Sequence, residues 1–104
     1  RADAIVCINM VHISPWAATE GLMRGAGRVL PAGGPLVLYG PYRRPDRELE
    51  ESNAAFDADL RRRNPQWGLR ELTTVEDCAR EQGLALESVV EMPANNLTLV
   101  FRKG

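Results

Sequence analysis

The single histidine of the sequence lies among polar and aromatic side chains that could carry acid–base chemistry. His12 belongs to the segment Asn9-Met10-Val11-His12-Ile13-Ser14-Pro15-Trp16. As a general base, its imidazole could take a proton from a nucleophile, because histidine titrates near neutral pH. The alternative is that it hydrogen-bonds nearby backbone and shapes the loop. We favour this second role from the sequence alone, because no partner carboxylate can be identified for the imidazole.

Aromatic and hydroxyl side chains near the same segment are candidates for a substrate pocket. Trp16 could form a pocket wall, or it could be the first core residue of a helix. Tyr42 is preferred to Tyr39 as a pocket residue, because it lies beyond the end of its predicted strand. Ser14 is a predicted helix N-cap and also a candidate substrate contact.

Four further residues are candidates for substrate binding. Asn53 and Asp57 are four positions apart in a predicted helix, so they share a face and could orient an amine or a hydroxyl. Capping and solvation are the usual roles of such residues. Asn95 and Asn96 are either turn residues or substrate contacts.

The composition excludes several classes of function. The formal net charge of −1 argues against a nucleic-acid or membrane surface, and the basic run Arg61–Arg63 is most simply a solvated helix end. Cys7 and Cys78 are expected to be reduced core residues of a cytoplasmic protein. One histidine and two core cysteines offer no ligand cluster, so we expect no metal site.

The hydrophobic pattern predicts an α/β fold. Residues 4–8 are continuously apolar, as in a strand buried on both faces. The remaining predicted strands are 36–39, 84–92 and 97–102. Three helices are predicted to start at the N-cap residues Ser14, Ser52 and Thr73. Thr73 and Glu76 have the spacing of a capping box. Helices separate the first three strands, which are therefore expected to run parallel, whereas the final hairpin makes the last strand antiparallel. We expect that strand to lie between the second and third, with the first at an edge.

The polar clusters follow the ends of the predicted strands. They come after residue 8, after residue 39 and after residue 92. Ligands of open α/β sheets bind outside the carboxyl ends of parallel strands. The clusters are therefore expected to meet at one rim of the sheet and to form a site there.

The same segments resemble a known family. The passage Leu30-Pro31-Ala32-Gly33-Gly34 between a helix and a strand resembles the second half of class I methyltransferases. The clusters at 9–16, 39–41, 52–57, 64–68 and 92–97 resemble more closely the domain of unknown function 938 family, which includes the methyltransferase-like 26 proteins. The resemblance implies a Rossmann-like methyltransferase fold, of which residues 1–104 form a single partial domain, the C-terminal half.

The resemblance implies S-adenosylmethionine as the cofactor and methyl transfer to an unknown, small-molecule acceptor as the reaction. In that family fold, Asn9 and Met10 would lie beside the methionine part of the cofactor, although Asn9 could also be a simple strand-end cap. The Gly-rich loop and the ribose-binding acidic residue belong to the other half of the fold. We therefore expect this chain to be inactive alone and not to bind the cofactor usefully.

Two expectations about activity and partners remain open. The chain is either part of an active methyltransferase or a non-catalytic binding or scaffold module derived from one. The strand at 4–8 would lack its neighbour, which leaves backbone groups and apolar surface bare. We expect that side to be covered by the missing N-terminal half or by a second copy in a homo-oligomer.

Overall fold

Strands and helices follow one another along the chain in the order β-α-β-α-α-β-β. The computed structural model describes residues 2–104. The strands are β1 (Ile5–Ile8), β2 (Pro35–Gly40), β3 (Leu84–Met92) and β4 (Asn96–Lys103), and the helices are α1 (Trp16–Val29), α2 (Glu51–Arg63) and α3 (Leu72–Arg80). Short 3-10 turns at Val11–Ile13 and Pro93–Asn95 precede α1 and β4.

The sheet has the predicted strand order, with a correction to its pairing. The order is β1-β2-β4-β3, so β4 lies between the second and third strands as expected. However, β1 and β2 form the one parallel pair of neighbours among residues 2–104. The strand β3 runs in the same direction as β2 but is separated from it by β4, which is antiparallel to both. The prediction of three parallel strands is therefore wrong as a description of neighbouring strands. β2 and β3 are not paired with each other, because the hairpin inserts β4 between them.

The core lies between one face of the sheet and the helices α1 and α3. Leu38 and Phe101 of the sheet are fully buried, as are Met23 of α1 and Val75 of α3. These side chains belong to one continuous cluster. Burying a large apolar side chain contributes about 1.5–3 kcal/mol, so this layer supplies much of the stability of the fold. It also holds the carboxyl ends of β1 and β2 in fixed positions.

The opposite face of the sheet carries exposed apolar side chains. Val6 is 61% exposed and Ile8 is 64% exposed. Val6 pairs with Val37 on β2, and Ile8 pairs with Tyr39. The outer edge of β1 and this face are therefore apolar surfaces that no helix of residues 2–104 covers.

All three helices start differently from the predictions. α1 begins at Trp16 rather than Pro15, and the Ser14 hydroxyl donates instead to the Met10 carbonyl at 2.8 Å. α2 begins at Glu51, one residue before the predicted cap Ser52. α3 begins at Leu72, and its first N–H donates to the Arg43 carbonyl at 2.8 Å. The prediction of a capping box at Thr73 is therefore wrong, because a tertiary backbone contact satisfies the helix end in place of a side chain.

None of the described helices is long and apolar enough to cross a bilayer.

Both cysteines are free thiols at the margin of the core. Cys7 and Cys78 are half-buried and pack against the buried cluster. Burial raises the pKa of each thiol above its ordinary value. The thiols are therefore expected to stay protonated and to behave as small apolar side chains.

Candidate functional site

A cleft at the carboxyl ends of β1 and β2 gathers residues from four separate segments. Its volume is about 440 Å³, which lies within the range of small-molecule sites. We call it the rim cleft, and it is lined by Asn9, His12, Ile13, Pro41, Asn53, Phe56, Ala94 and Asn96. Four of these were predicted site residues: Asn9, His12, Asn53 and Asn96. The strand ends, the turn before α1, the helix α2 and the hairpin turn thus meet as the sheet topology requires.

His12 is held in the rim cleft by packing. The residue is 4% exposed, and its ring meets the Phe56 ring edge-on with centroids 5.6 Å apart. Burial lowers the pKa of the imidazole below its ordinary value. The ring is therefore neutral near pH 7, which is the form that accepts a proton. The imidazole also packs against β2, with Nδ1 3.4 Å from where a Cβ on Gly40 would lie, and the ring borders the rim cleft.

Asn9 presents its amide at the end of β1. Its backbone has φ +54°, a left-handed conformation that Asn tolerates better than most residues. The backbone N–H of Asn9 donates to the Tyr39 carbonyl at 2.8 Å, which ties the turn to β2. A Cβ placed on Gly40 would lie 3.5 Å from Asn9 Oδ1 and 3.3 Å from His12 Cε1. The lack of a side chain at position 40 therefore leaves room for the amide and the imidazole on the same side of β2.

The helix α2 and the hairpin turn close one wall of the rim cleft. Asn53 is 6% exposed, and its Nδ2 donates to the Asn95 carbonyl at 3.2 Å and to Glu50 Oε1 at 3.3 Å. Asn95 Nδ2 in turn donates to Ser52 Oγ at 3.4 Å. Asn95 adopts φ +60°, as the turn prediction anticipated. The contacts between Asn53, Ser52 and Asn95 join α2 to the turn between β3 and β4, and so hold α2 in place as one wall of the rim cleft.

Several predicted site residues point away from the rim cleft. Met10 packs against the core, and its sulfur accepts a hydrogen bond from Ser14 Oγ at 3.2 Å. Trp16 lines other clefts between α1 and α3. Tyr42 is 4% exposed, and burial raises the pKa of its hydroxyl. With Asn95 it borders a depression of about 40 Å³, which is room for little more than one water molecule.

Asp57 makes its contacts within the protein. Its side chain is 8% exposed. Its carboxylate accepts hydrogen bonds from the Leu69 N–H at 2.8 Å, from Arg61 Nε at 3.1 Å and from Arg43 Nη2 at 2.9 Å. Burial alone would raise the pKa of this carboxyl, but the three donors outweigh it and hold the pKa below its ordinary value. This carboxylate therefore joins α2 to the segments that precede and follow it.

Apolar members of the rim cleft were missed from the sequence. Ile13 is 42% exposed and Phe56 is 38% exposed, although both occupy positions of an apolar pattern. An apolar side chain left exposed beside a buried histidine is a signal of a ligand site, but exposure is visible only in the structure.

No group of three or more histidine, cysteine or acidic side chains within residues 2–104 is arranged to hold a metal ion.

The α/β fold with its mixed four-stranded sheet is similar to that of methyltransferase domains. The sequence over residues 1–103 matches the family described as Protein of unknown function (DUF938). The chain belongs to that family, as its motifs predicted.

Solved methyltransferases share the architecture at low sequence identity. An O-methyltransferase family 2 protein from Planctomyces limnophilus in complex with apigenin is 18% identical with a TM-score of 0.87, over 99% of this chain and 30% of its own. Human N-acetylserotonin methyltransferase in complex with SAM is 14% identical with a TM-score of 0.85, over the same shares. CalO1, a methyltransferase in calicheamicin biosynthesis in its SAH-bound form, is 18% identical with a TM-score of 0.82, over 100% of this chain and 31% of its own. The chain thus spans about a third of the length of these proteins.

Proposed function

We propose that this chain forms the acceptor side of an S-adenosylmethionine-dependent methyltransferase that acts on a hydroxyl group. The observation that carries the proposal is the rim cleft, in which a buried, neutral His12 faces an apolar wall and three asparagine side chains. The solved proteins of similar fold include an O-methyltransferase family 2 protein in complex with apigenin, which is a phenol, and a methyltransferase in complex with SAM. A hydroxylated aromatic acceptor suits a cleft with this lining.

His12 would act as the general base. Its neutral imidazole accepts the hydroxyl proton as the acceptor oxygen attacks, and the apolar contact with Phe56 keeps water from competing for that proton. When bound, S-adenosylmethionine supplies an electrophilic methyl group. Most of the remaining rate enhancement would come from holding the two reactants in line. Asn53 and Asn96 would orient the acceptor by hydrogen bonds.

The residues of this chain fit one side of a cofactor site. Asn9 places an exposed amide at the end of β1, where it would bind the amino or carboxylate group of the methionine moiety. Met10 is turned into the core and would act by positioning the turn. The remaining contacts would come from the rest of the domain, so the isolated 104-residue chain is expected to bind the cofactor weakly.

The bare face of the sheet supports the same proposal. Val6 and Ile8 expose more than half of their surface on a strand with a free outer edge. Proteins seldom leave such surfaces open to solvent. We propose that the N-terminal part of the methyltransferase domain covers this face in the natural-length protein.

A methyl-transfer assay on the natural-length protein tests the proposed function. The protein is incubated with S-adenosylmethionine and a panel of phenols, and S-adenosylhomocysteine is measured. Replacing a general base is expected to lower kcat about 10²–10⁴-fold, so His12→Ala should lose activity to that extent while Thr73→Ala, an exposed change on α3, should not. Activity that survives in His12→Ala with an unchanged pH profile would remove His12 from the mechanism. A lack of turnover with every acceptor, in a protein that also fails to bind the cofactor, would favour the non-catalytic module.

A further inference from the structure

A second cleft, on the side of α1 and α3, is lined by three arginine side chains. Its volume is about 390 Å³. We call it the arginine cleft, and its lining includes Arg43, Arg61, Arg70, Trp16 and Glu71. It shares no lining residue with the rim cleft. The proposed methyl transfer makes no use of these arginines, so their convergence calls for a separate explanation.

Two of the arginines share one carboxylate. Arg43 and Arg61 both contact Asp57, at 2.9 Å and 3.1 Å. The Asp57 side chain is 8% exposed, whereas those of Arg43 and Arg61 are 39% and 49% exposed. The ion pairs therefore hold the two guanidinium groups in place, and both arginines line the cleft with part of their side chains exposed. An arginine held in this way loses little entropy when it binds an anion.

The third arginine has no carboxylate partner among residues 2–104. One terminal nitrogen of Arg70 donates to the Ser14 carbonyl at 3.0 Å and to the Gln66 carbonyl at 2.6 Å. Its buried Nε has no hydrogen-bond partner. The guanidinium lies 5.8 Å from the centre of the Trp16 ring. Burial and the nearby Arg61 lower the pKa of Arg70, and Asp57 acts in the opposite direction.

We propose that the arginine cleft binds the carboxylate or phosphate group of a small anionic molecule. Three arginines and one acidic residue, Glu71, line the cleft, and Asp57 is paired with two of the arginines, so the local charge is positive in a chain whose net charge is −1. Guanidinium groups match the planar geometry of carboxylate and phosphate oxygens. The volume suits a metabolite-sized ligand, and the acidic balance of the chain excludes a broad polyanion surface. The Trp16 ring supplies an apolar wall for the rest of the ligand.

Calorimetry on the natural-length protein tests the arginine cleft. Inorganic phosphate and, separately, succinate are titrated at constant ionic strength against a chloride reference. At least one is expected to bind, and removing a charge-assisted donor in Arg61→Gln should weaken that binding about tenfold or more. Arg62→Gln is the matched control. The side chain of Arg62, the next residue in the sequence, is 74% exposed, pairs with Asp59 and does not line the cleft. Tighter binding of phosphate would indicate a phosphate-bearing ligand, and tighter binding of succinate a carboxylate.

Two further readouts keep the test independent of folding. Arg61→Lys retains a positive charge beside Asp57, so the variant should fold normally. It loses the paired N–H donors of the guanidinium group, so it should bind the anion more weakly than the wild type. The indole N–H resonance of Trp16, which lines the cleft, should shift during the titration. Binding no stronger than that of chloride, equal weakening in Arg62→Gln, or wild-type affinity in Arg61→Lys would overturn the proposal.

Discussion

Asp57→Asn is expected to destabilise the protein far more than a similar change two residues away. The Asp57 carboxylate accepts hydrogen bonds from three donors, two of them guanidinium groups. Breaking a fully buried ion pair costs about 3–5 kcal/mol. Here the released Arg43 and Arg61 are partly exposed and regain water, and the asparagine oxygen still accepts one bond. We therefore expect a loss of about 2–3 kcal/mol in the free energy of unfolding.

Asp59→Asn is the matched control on the same helix. Asp59 pairs with Arg62 at 3.0 Å and with Arg63 at 3.2 Å, but its side chain is 37% exposed and its partners are more exposed still. Such surface pairs contribute about 0–1 kcal/mol, so this change should be nearly neutral. Urea unfolding of the natural-length protein measures both variants. A loss for Asp57→Asn no larger than for Asp59→Asn would refute the reasoning.

The pH dependence gives a second test of the same carboxylate. The folded protein holds the pKa of Asp57 below its ordinary value. Its contribution to stability is therefore complete above the unfolded pKa and is lost as the pH falls through the folded pKa. Asp57→Asn should lack this acid-dependent loss, so the stability curves of the variant and the wild type should converge at low pH.

Further predictions concern α1, His12 and the bare face of the sheet. Gly25→Ala, which meets nothing within 4 Å, should gain up to about 1 kcal/mol in unfolding free energy, whereas Gly27→Ala should lose stability, because its Cβ would lie 2.5 Å from the Gln82 carbonyl oxygen. Thermal unfolding compares the two. NMR titration should give His12 a pKa below 6.5, the ordinary value for histidine, because burial disfavours the charged ring. The free energy of unfolding should then decrease as the pH falls below 6.5, because the unfolded state binds the proton first. A titration midpoint above 6.5 would contradict the burial argument. Ile8→Ala should cost about 2–4 kcal/mol in the natural-length protein if the face is covered, and almost nothing if Ile8 is exposed there as it is here.

Much of the sheet could be predicted from short patterns. The continuous apolar runs at residues 4–8 and 36–39 form neighbouring parallel strands, as predicted. The expected burial of the first run on both faces is wrong for residues 2–104, because Val6 and Ile8 are exposed on the face that no described helix covers. The turn at 93–96 produced the hairpin that places β4 inside the sheet. The helix starts could not be predicted in the same way. The contact between the Arg43 carbonyl and the Leu72 N–H joins segments far apart in the sequence, and no local pattern records it.

The candidate site was only partly accessible to sequence reasoning. The rule that ligands bind at the carboxyl ends of strands brought Asn9, His12, Asn53 and Asn96 to one rim, and the structure places all four in one cleft. The orientation of individual side chains followed other forces. Asp57 contacts Arg61, which lies four residues along its own helix, and also Arg43, which helix periodicity does not specify. The arginine cleft itself depends on three segments folding together.

Titration of S-adenosylmethionine into the natural-length protein, with the heat of binding recorded, tests the central claim most directly. We expect one cofactor site per chain in the micromolar range. Asn9→Gly should weaken binding about tenfold or more, because it removes the amide that would contact the charged methionine group while glycine tolerates the left-handed backbone of that position. The absence of any heat of binding by the intact protein, or an affinity unchanged in Asn9→Gly, would contradict the assignment of this rim to the cofactor.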